Sequence, residues 1–598
     1  SIYYTLDGSE PTSSSLLYTG PIPVKTRIGE PNLYSMIEDV SPRWQAPEGE
    51  VFKVNVVRAR VISLDGQSSP IITHTYLVDE EKRYSLPVIS ITTQPDYLFD
   101  YQNGLYMMGP IYAAAYNPDS GLNTWEFPAN YTQRGAAWER PAHIEYFDAN
   151  GKPGFSQNIT MRIHGAMSRE RAQKSLRIYA DCVQGCNGVV AYELFPGLTS
   201  TATGQPIQQF TTFLMRNSGN DWERTMFRDA LIQKLVEHTR LDIQAYQSAV
   251  VFINGEYWGI HNLRERLDEY YIENHYGIPA EEVVMLSDNA LLSVGTPGDE
   301  QAYLNLLDFV KTQDMTDPEN YAFIQTQMDV ENYIDYQILE IYSDNNNWPH
   351  VNVEYWRKKT SAYEPNAPYG QDGRWRWMVF DTDFGFGLNN GMEAVNSNNL
   401  INAISPNWHE DAGTLFRSLL QNPDFKASFL RRFADHLNTS FEPGRVASEI
   451  DQMQAVIAPE IAEHIARWQG ETGSLDNWQA DVDLLRYFAE NRPAAMRQQL
   501  IDYFALDGTA NLHLMSTPDM GYVRVNTVDI VAGTPGVPNP GDWSGVYFTD
   551  MPVELTAIPL PGYRFEKWVN ASGEEFFTEE LVVTLDGDAA YTAVFVEE

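Results

Sequence analysis

The stretch Trp377 to Gly387 reads WMVFDTDFGFG. Asp381 and Asp383 close an apolar, aromatic run, where buried carboxylates are costly unless a cation or hydrogen-bond donors compensate them. The spacing fits a hard cation such as Mg2+, Mn2+ or Ca2+, and it fits a plain turn as well. Phosphoryl transfer needs a cation on the phosphates, a carboxylate or Asn on the metal, and an Asp near the attacking hydroxyl. Three further stretches offer those parts.

In MRIHGAMSRERAQKSLRIYA, Lys174 lies just before a strand-like run, with Gly165 and Ser168 in a turn before it. A Lys placed by a strand reaches phosphates as a point charge, although an exposed strand-end Lys has the same local pattern. In GIHNLRERLDEYY, Glu265 follows a hairpin strand. It can pair with Lys174 as a kinase Lys–Glu pair does, or serve as a helix-start carboxylate. In IYSDNNNWPHVNVEYWRK, Asp344 closes an apolar helix and Asn352 opens the next strand. Asp as base and Asn as metal ligand is one reading; an Asx-rich turn is the other. His164, in RIHGA, is either catalytic or a satisfied strand histidine. There is no Gly-x-Ser-x-Gly elbow and no His-Glu-x-x-His zinc helix.

The elements that must hold these residues come from patterning. Residues 1–80 read as all-β: IYYTLDG and VVRARVISLDGQSS each end in Asp-Gly, a hairpin signal. Residues 84–508 begin with strand-like runs such as LPVISITT and NITMRIHG. They continue with an amphipathic helix (ERTMFRDALIQKLVEHT), a hairpin turning at Asn254-Gly255 and a buried helix (VENYIDYQILEIY), then become mostly helical after Gly387. Residues 509–598 alternate apolar and polar residues around turns, with a Gly/Pro-rich loop in VAGTPGVPNPGDWSG. The order predicts an α+β fold flanked by two small all-β modules.

The 598 residues carry a net charge of −40, are 43% hydrophobic and 13% aromatic. This balance argues against nucleic-acid binding, which rests on basic surface, and against an anionic membrane surface. No run of about 18 apolar residues exists to span a bilayer. Cys182 and Cys186 are too few for a zinc site; a local disulfide and two free thiols are both open. The chain opens strand-like and without an initiator Met, as a piece of a longer or processed precursor does.

Five motifs in order are LPVISITTQPDYLFDYQNGLYMMG, MRIHGAMSRERAQKSLRIYA, LMRNSGNDWERTMFRDALIQKLVE, VVFINGEYWGIHNLRERLDEYYI and WRWMVFDTDFGFG. Together they resemble the CotH kinase family, named for a spore-coat protein kinase, over about residues 85–505. TLDGSEPT followed by LYTGPI resembles the C-terminal β-sandwich of chitobiases and β-hexosaminidases. The last segment resembles a β-repeat of internalin-related surface proteins. The resemblance implies an atypical kinase-like fold, ATP with Mg2+ or Mn2+ (Ca2+ as a further option), and transfer to Ser of a protein substrate. It implies a secreted bacterial protein, with contact to a cell surface or polysaccharide as a further expectation. Carried over by motif, Lys174 with Arg162 and Ser168 would bind the nucleotide. Glu265 would be the acidic partner, Asp344 the catalytic-loop residue, and Asp381, Asn352 and Asp383 the metal ligands. The sequence departs from the family pattern where Phe380 stands for the usual Trp and Phe384-Gly385 follows Asp383 without a spacer. About thirty residues also separate Asn352 from Asp381. A catalytically degenerate interaction protein is the alternative these departures leave open.

Overall fold

Alternating side-chain parity builds most of the strands; the computed structural model describes residues 1–79, 82–180, 188–405, 412–469 and 473–598. Cys182 and Cys186, for which a disulfide and two free thiols were both open, lie outside the described residues. The helices that position the candidate site are α1 (Arg228–Lys234), α2 (Glu269–Tyr276), α3 (Val330–Ser343), α4 (Pro423–Asn438), α5 (Ile461–Trp468) and α6 (Leu475–Phe504).

Packing divides the chain into two units. The first unit holds Ser1–Phe227, Gln244–Ala280 and Met453–Val482. Its N-terminal module is a four-stranded sheet, ordered β2-β1-β3-β4, of β1 (Ile2–Thr5), β2 (Leu16–Leu17), β3 (Asn55–Val61) and β4 (Ile72–Tyr76). Seven further strands close into a barrel: β5 (Val88–Thr92), β6 (Arg140–Phe147), β7 (Pro153–His164), β8 (Ser175–Tyr179), β9 (Thr212–Arg216), β10 (Tyr246–Ile253) and β11 (Glu256–Glu265). Their order is β9-β11-β10-β5-β6-β7-β8, closing through β8 and β9.

Closure removes the sheet edges. Every second side chain then fills the interior: Ile159, Met161 and Ile163 from β7, Leu176 and Ile178 from β8, Phe213 and Met215 from β9. The β10–β11 hairpin turns at Asn254 and Gly255, both at positive φ, as an Asn-Gly two-residue turn requires. The N-terminal module is bonded to this barrel. Glu256 accepts from the Leu33 and Ser35 amides at 2.5 and 2.8 Å, and Glu145 accepts from the Thr75 hydroxyl at 2.5 Å.

The second unit holds Arg228–Ile243, Glu281–Gln452 and Asp483–Glu598. Helix α3 is its axis: every residue except Glu331 is buried. Asp329 caps its start by accepting from the Asn332 amide. A four-stranded sheet, β13-β12-β14-β15, is built from β12 (Val283–Ser287), β13 (Leu291–Val294), β14 (Glu354–Lys358) and β15 (Arg376–Met378). Strand β15 carries the chain into the Asp-Thr-Asp segment. The C-terminal strands form two sheets of five and four strands, the β-rich module that the alternation predicts. That module is bonded to α4. The Asn438 side chain donates to the Val546 carbonyl and accepts its amide, each at 2.9 Å. The described residues thus form an α+β fold with β-rich flanks. No helix among them is long and apolar enough to cross a membrane.

Candidate active site

The two halves of the expected kit fall in different units, so each is built separately. In the first unit the strand pleat decides which cations face outward. Arg162 and His164 on β7, and Arg177 and Tyr179 on β8, alternate with the barrel-filling residues. The register sets Arg162 opposite Arg177, Arg177 opposite Leu214, and Leu214 opposite Arg264. Like charges directly opposite one another repel, so this row concentrates positive potential. Burial and the charges of Arg266, Arg177, Arg216 and Arg169 push His164 well below the usual histidine range. It is therefore a neutral ring among arginines, and in that state it is not a general acid.

Lys174 is not in that row. It shares parity with Leu176 and Ile178, and its side chain is fully buried. Its ammonium donates to the carbonyls of Val40, Arg169 and Arg171 at 2.9, 2.8 and 2.9 Å, and lies 3.9 Å from the Tyr131 ring centre. Glu265 is equally occupied. One oxygen meets His275 Nε2 at 2.9 Å and the other accepts the Ala245 amide at 3.1 Å. The expected Lys174–Glu265 pair is therefore not formed, because both side chains point to the packed side of their strands.

The cation–carboxylate pair is made three residues further along on both sides. Arg177 Nη2 donates to Asp268 Oδ2 at 3.0 Å. Asp268 also caps α2 by accepting from the Tyr270 and Tyr271 amides. Burial pushes Asp268 up to about 6 against the pull of Arg266 and Arg177. Of the other two nucleotide-binding expectations, Arg162 lies on the arginine face with Glu139 at 3.5 Å. Ser168 sits in the turn after β7, so close to Gly165 that a Cβ there would meet Ser168 Oγ at 2.5 Å.

In the second unit the sequence-chosen acids lie at the end of α3 and in the segment that follows β15. Asp344 ends α3 in the left-handed conformation, φ 54° and ψ 46°, where Gly or Asn is usual. Asn352 and Asp381 are also at positive φ, 60° and 53°. Left-handed non-Gly residues cost free energy and cluster at functional sites. Asp344 is 1% exposed, and neither carboxylate oxygen is in a well-formed hydrogen bond, although the polar side chains of Ser397, Asn346 and Asn390 lie close by. Burial raises its proton affinity, with Arg492 acting against the rise. The Phe386 amide donates to the Ser343 carbonyl at 2.7 Å, which ties the segment after Asp383 to the residue before Asp344. Gly385 is needed for this approach: a Cβ there would meet Ile232 Cδ1 at 2.8 Å and the Ser343 carbonyl at 3.0 Å. Asp383 is fully buried and Asp381 half-buried.

The Asx chemistry of SDNNNWP is present too. Asn346 Nδ2 donates to the Asp344 carbonyl at 2.9 Å, Asn390 to Asn346 Oδ1 at 3.2 Å, and Asn352 to the Asn347 carbonyl at 3.3 Å. The two readings of that stretch are therefore compatible: the asparagines shape the turn that presents Asp344.

Four supporting residues have no motif of their own. Arg492, fully buried on α6, donates to the carbonyls of Ile341, Tyr342, Val395 and Ser397 at 2.6–3.0 Å, closing the C-terminus of α3. Arg228 of α1 donates to the Phe386 carbonyl at 2.5 Å, and Asp229 accepts from Thr382. Glu340, one helical turn before Asp344, is fully buried and pushed up to about 8 by burial, with Asp229 adding to the shift. Among the described residues no three His, Cys, Asp or Glu side chains are grouped closely enough to hold a metal on their own.

No curated protein matches the chain. A family model described as Fn3 associated matches residues 1–76. The model described as CotH kinase protein matches residues 161–496, which includes the arginine face of the barrel, helix α3 and the Asp-Thr-Asp segment. The match spans more than half of the sequence, and the chain belongs to the CotH kinase family.

Proposed function

We propose that this chain transfers the γ-phosphate of ATP to serine or threonine hydroxyls of proteins outside the cytoplasm, in a reaction that uses a divalent cation. The observation that carries the cation is Asp344. A carboxylate 99% removed from solvent, on a left-handed backbone, with neither oxygen in a well-formed hydrogen bond and only the nearby Ser397, Asn346, Asn390 and Arg492 side chains to offset its burial, is costly in its charged form. A small divalent ion offsets that cost. At most two of Asp344, Asp381 and Asp383, with the Asn352 amide oxygen, would supply hard oxygen donors of the kind Mg2+ and Mn2+ accept. A protein set this sparse suits an ion that keeps waters and takes phosphate oxygens as its remaining ligands, as Mg2+ does, better than it suits Ca2+. The ion would supply neutralisation of phosphate charge.

Within the first unit, Arg177 replaces Lys174 as the proposed phosphate-binding cation, oriented by Asp268 as a kinase lysine is by its glutamate. Arg162 on the same face adds to the anion-attracting potential. Asp381, the one half-exposed acid of the set, accepts the proton of the attacking hydroxyl. The enclosed Asp344 is better suited to a small cation than to an incoming side chain, which revises its motif-based role as base.

The test is a thermal-shift measurement with ATP and Mn2+, followed by transfer from γ-labelled ATP to a general protein acceptor. A ligand that binds only the folded state at 100 times its dissociation constant stabilises by about 2.7 kcal/mol. The reading expects such a shift and its loss in Asp383→Asn. A binding-only protein gives the shift without transfer; an unrelated activity gives neither.

A further inference from the structure

Helix α1 holds the Asp-Thr-Asp segment at two points. Asp229 Oδ1 accepts from the Thr382 amide at 2.9 Å and from the Thr382 hydroxyl at 3.0 Å. Gln233, one turn further along α1, donates to the same oxygen at 3.1 Å. Arg228 Nη1 donates to the Phe386 carbonyl at 2.5 Å and to the Gly385 carbonyl at 3.3 Å. All of these groups are buried, Thr382 completely. Thr382 is the residue between the two acids, so fixing both its amide and its hydroxyl fixes the direction in which Asp381 and Asp383 leave it. The left-handed φ of Asp381 needs such external restraint, because an unsupported aspartate relaxes out of that region.

The geometry points to Asp229 as a positioning residue. Acting through Thr382, with Arg228 pinning the segment beyond, it holds Asp381 and Asp383 in the arrangement that receives a divalent cation. Asp229 itself touches neither the reacting groups nor the cation. This inference rests on the cation reading above and goes beyond it, because it assigns a function to a helix that the acid motifs do not include. Residues that orient a metal's ligands change its affinity by about 10–100-fold when removed.

The experiment uses the full chain and Mn2+ alone, with free Mn2+ followed by electron paramagnetic resonance. Amide exchange over residues 380–388 is followed in parallel without metal. Thr382→Val keeps the size and the amide but removes the hydroxyl donor; Thr382→Ser keeps the donor. Expected results are a loss of Mn2+ affinity of about 10-fold or more in Thr382→Val, near wild-type affinity in Thr382→Ser, and faster exchange at Thr382 and Phe386 in Thr382→Val only. Asp229→Ala, if it folds, repeats the Thr382→Val pattern. Wild-type Mn2+ affinity in Thr382→Val overturns the inference, as does a lowered melting temperature with both readouts unchanged. If the wild type binds no Mn2+, the cation reading fails and this inference with it. The exchange measurement then still decides whether Asp229 sets the loop.

Discussion

Lys174→Met and Arg177→Met lie three residues apart on one strand, and the geometry assigns them opposite phenotypes. Lys174→Met removes the three donors that serve the carbonyls of Val40, Arg169 and Arg171. Each buried acceptor left bare costs about 1–3 kcal/mol. Methionine fills nearly the same volume, so no large cavity adds to that cost. Against it stands the relief of burying an ammonium, since burial already drives the Lys174 proton affinity well down. The net is a loss of about 3 kcal/mol. At about 2–4 °C per kcal/mol for a domain of 150–250 residues, this lowers the melting temperature by about 6–12 °C, nearer the lower end for a larger unit. The stabilisation by ATP and Mn2+, measured as the shift on ligand addition, stays at the wild-type value. Arg177→Met forfeits one ion pair at 3.0 Å while the α2 cap by Asp268 remains. It therefore costs about 1–2 kcal/mol of stability and abolishes the ligand shift. Differential scanning fluorimetry with and without ligand reads both quantities in one series. A stable Lys174→Met that has lost the ligand shift, beside an Arg177→Met that keeps it, refutes the reassignment.

Three other outcomes are expected. Arg492→Ala leaves four carbonyls around the end of α3 without their donor and lowers stability by about 4 kcal/mol; urea denaturation at matched m-value checks it. Gly385→Ala places a methyl against Ile232 and the Ser343 carbonyl, so it weakens Mn2+ binding more than it lowers the melting temperature; equal loss in both speaks against the close approach. Asp435 on α4 accepts from Asn526 and Tyr547 of the C-terminal module, and burial pushes it up to about 7 from 3.8. The folded state holds this proton more tightly than the unfolded chain, so stability is fully present below about pH 4 and falls as pH rises toward 7. The range amounts to about 4 kcal/mol. Asp435→Asn flattens that part of the pH–stability curve, and an unchanged slope from pH 4 to 7 contradicts the assignment.

The places in the fold where the candidate acids sit were legible in the sequence, because they follow apolar runs whose ends are easy to find. Helix α3 stops where VENYIDYQILEIYS meets SDNNN, and β15 stops where WRWMV meets DTD. The burial of Lys174 also has a reason visible in the sequence. Lys174, Leu176 and Ile178 share one parity, so a pleated strand sends all three inward, while Arg177 and Tyr179 share the other. Glu265 likewise shares parity with the barrel-filling Leu263, and LDEYY carries in Asp268 an N-cap aspartate one turn before the buried Tyr271 and Ile272. Counting parity selects Arg177 and Asp268 from the same two motifs. Arg228, Asp229 and Arg492 could not be found this way, since they act on carbonyls and a threonine far away in the chain. No local pattern marks a guanidinium that caps a helix from 150 residues away. The C-terminal module was legible as β-structure, but its bonding to α4 through Asn438 and Asp435 depends on tertiary contacts that alternation does not encode.

The most direct test of the central claim is isothermal titration of the full chain with ATP in the presence of Mn2+, compared with the Asp344→Asn and Arg177→Met variants. The account predicts metal-dependent ATP binding in the wild type, and loss of about tenfold or more in affinity in each variant while their far-ultraviolet circular dichroism stays that of the wild type. Wild-type affinity in both variants, or tight binding that ignores the metal, contradicts it.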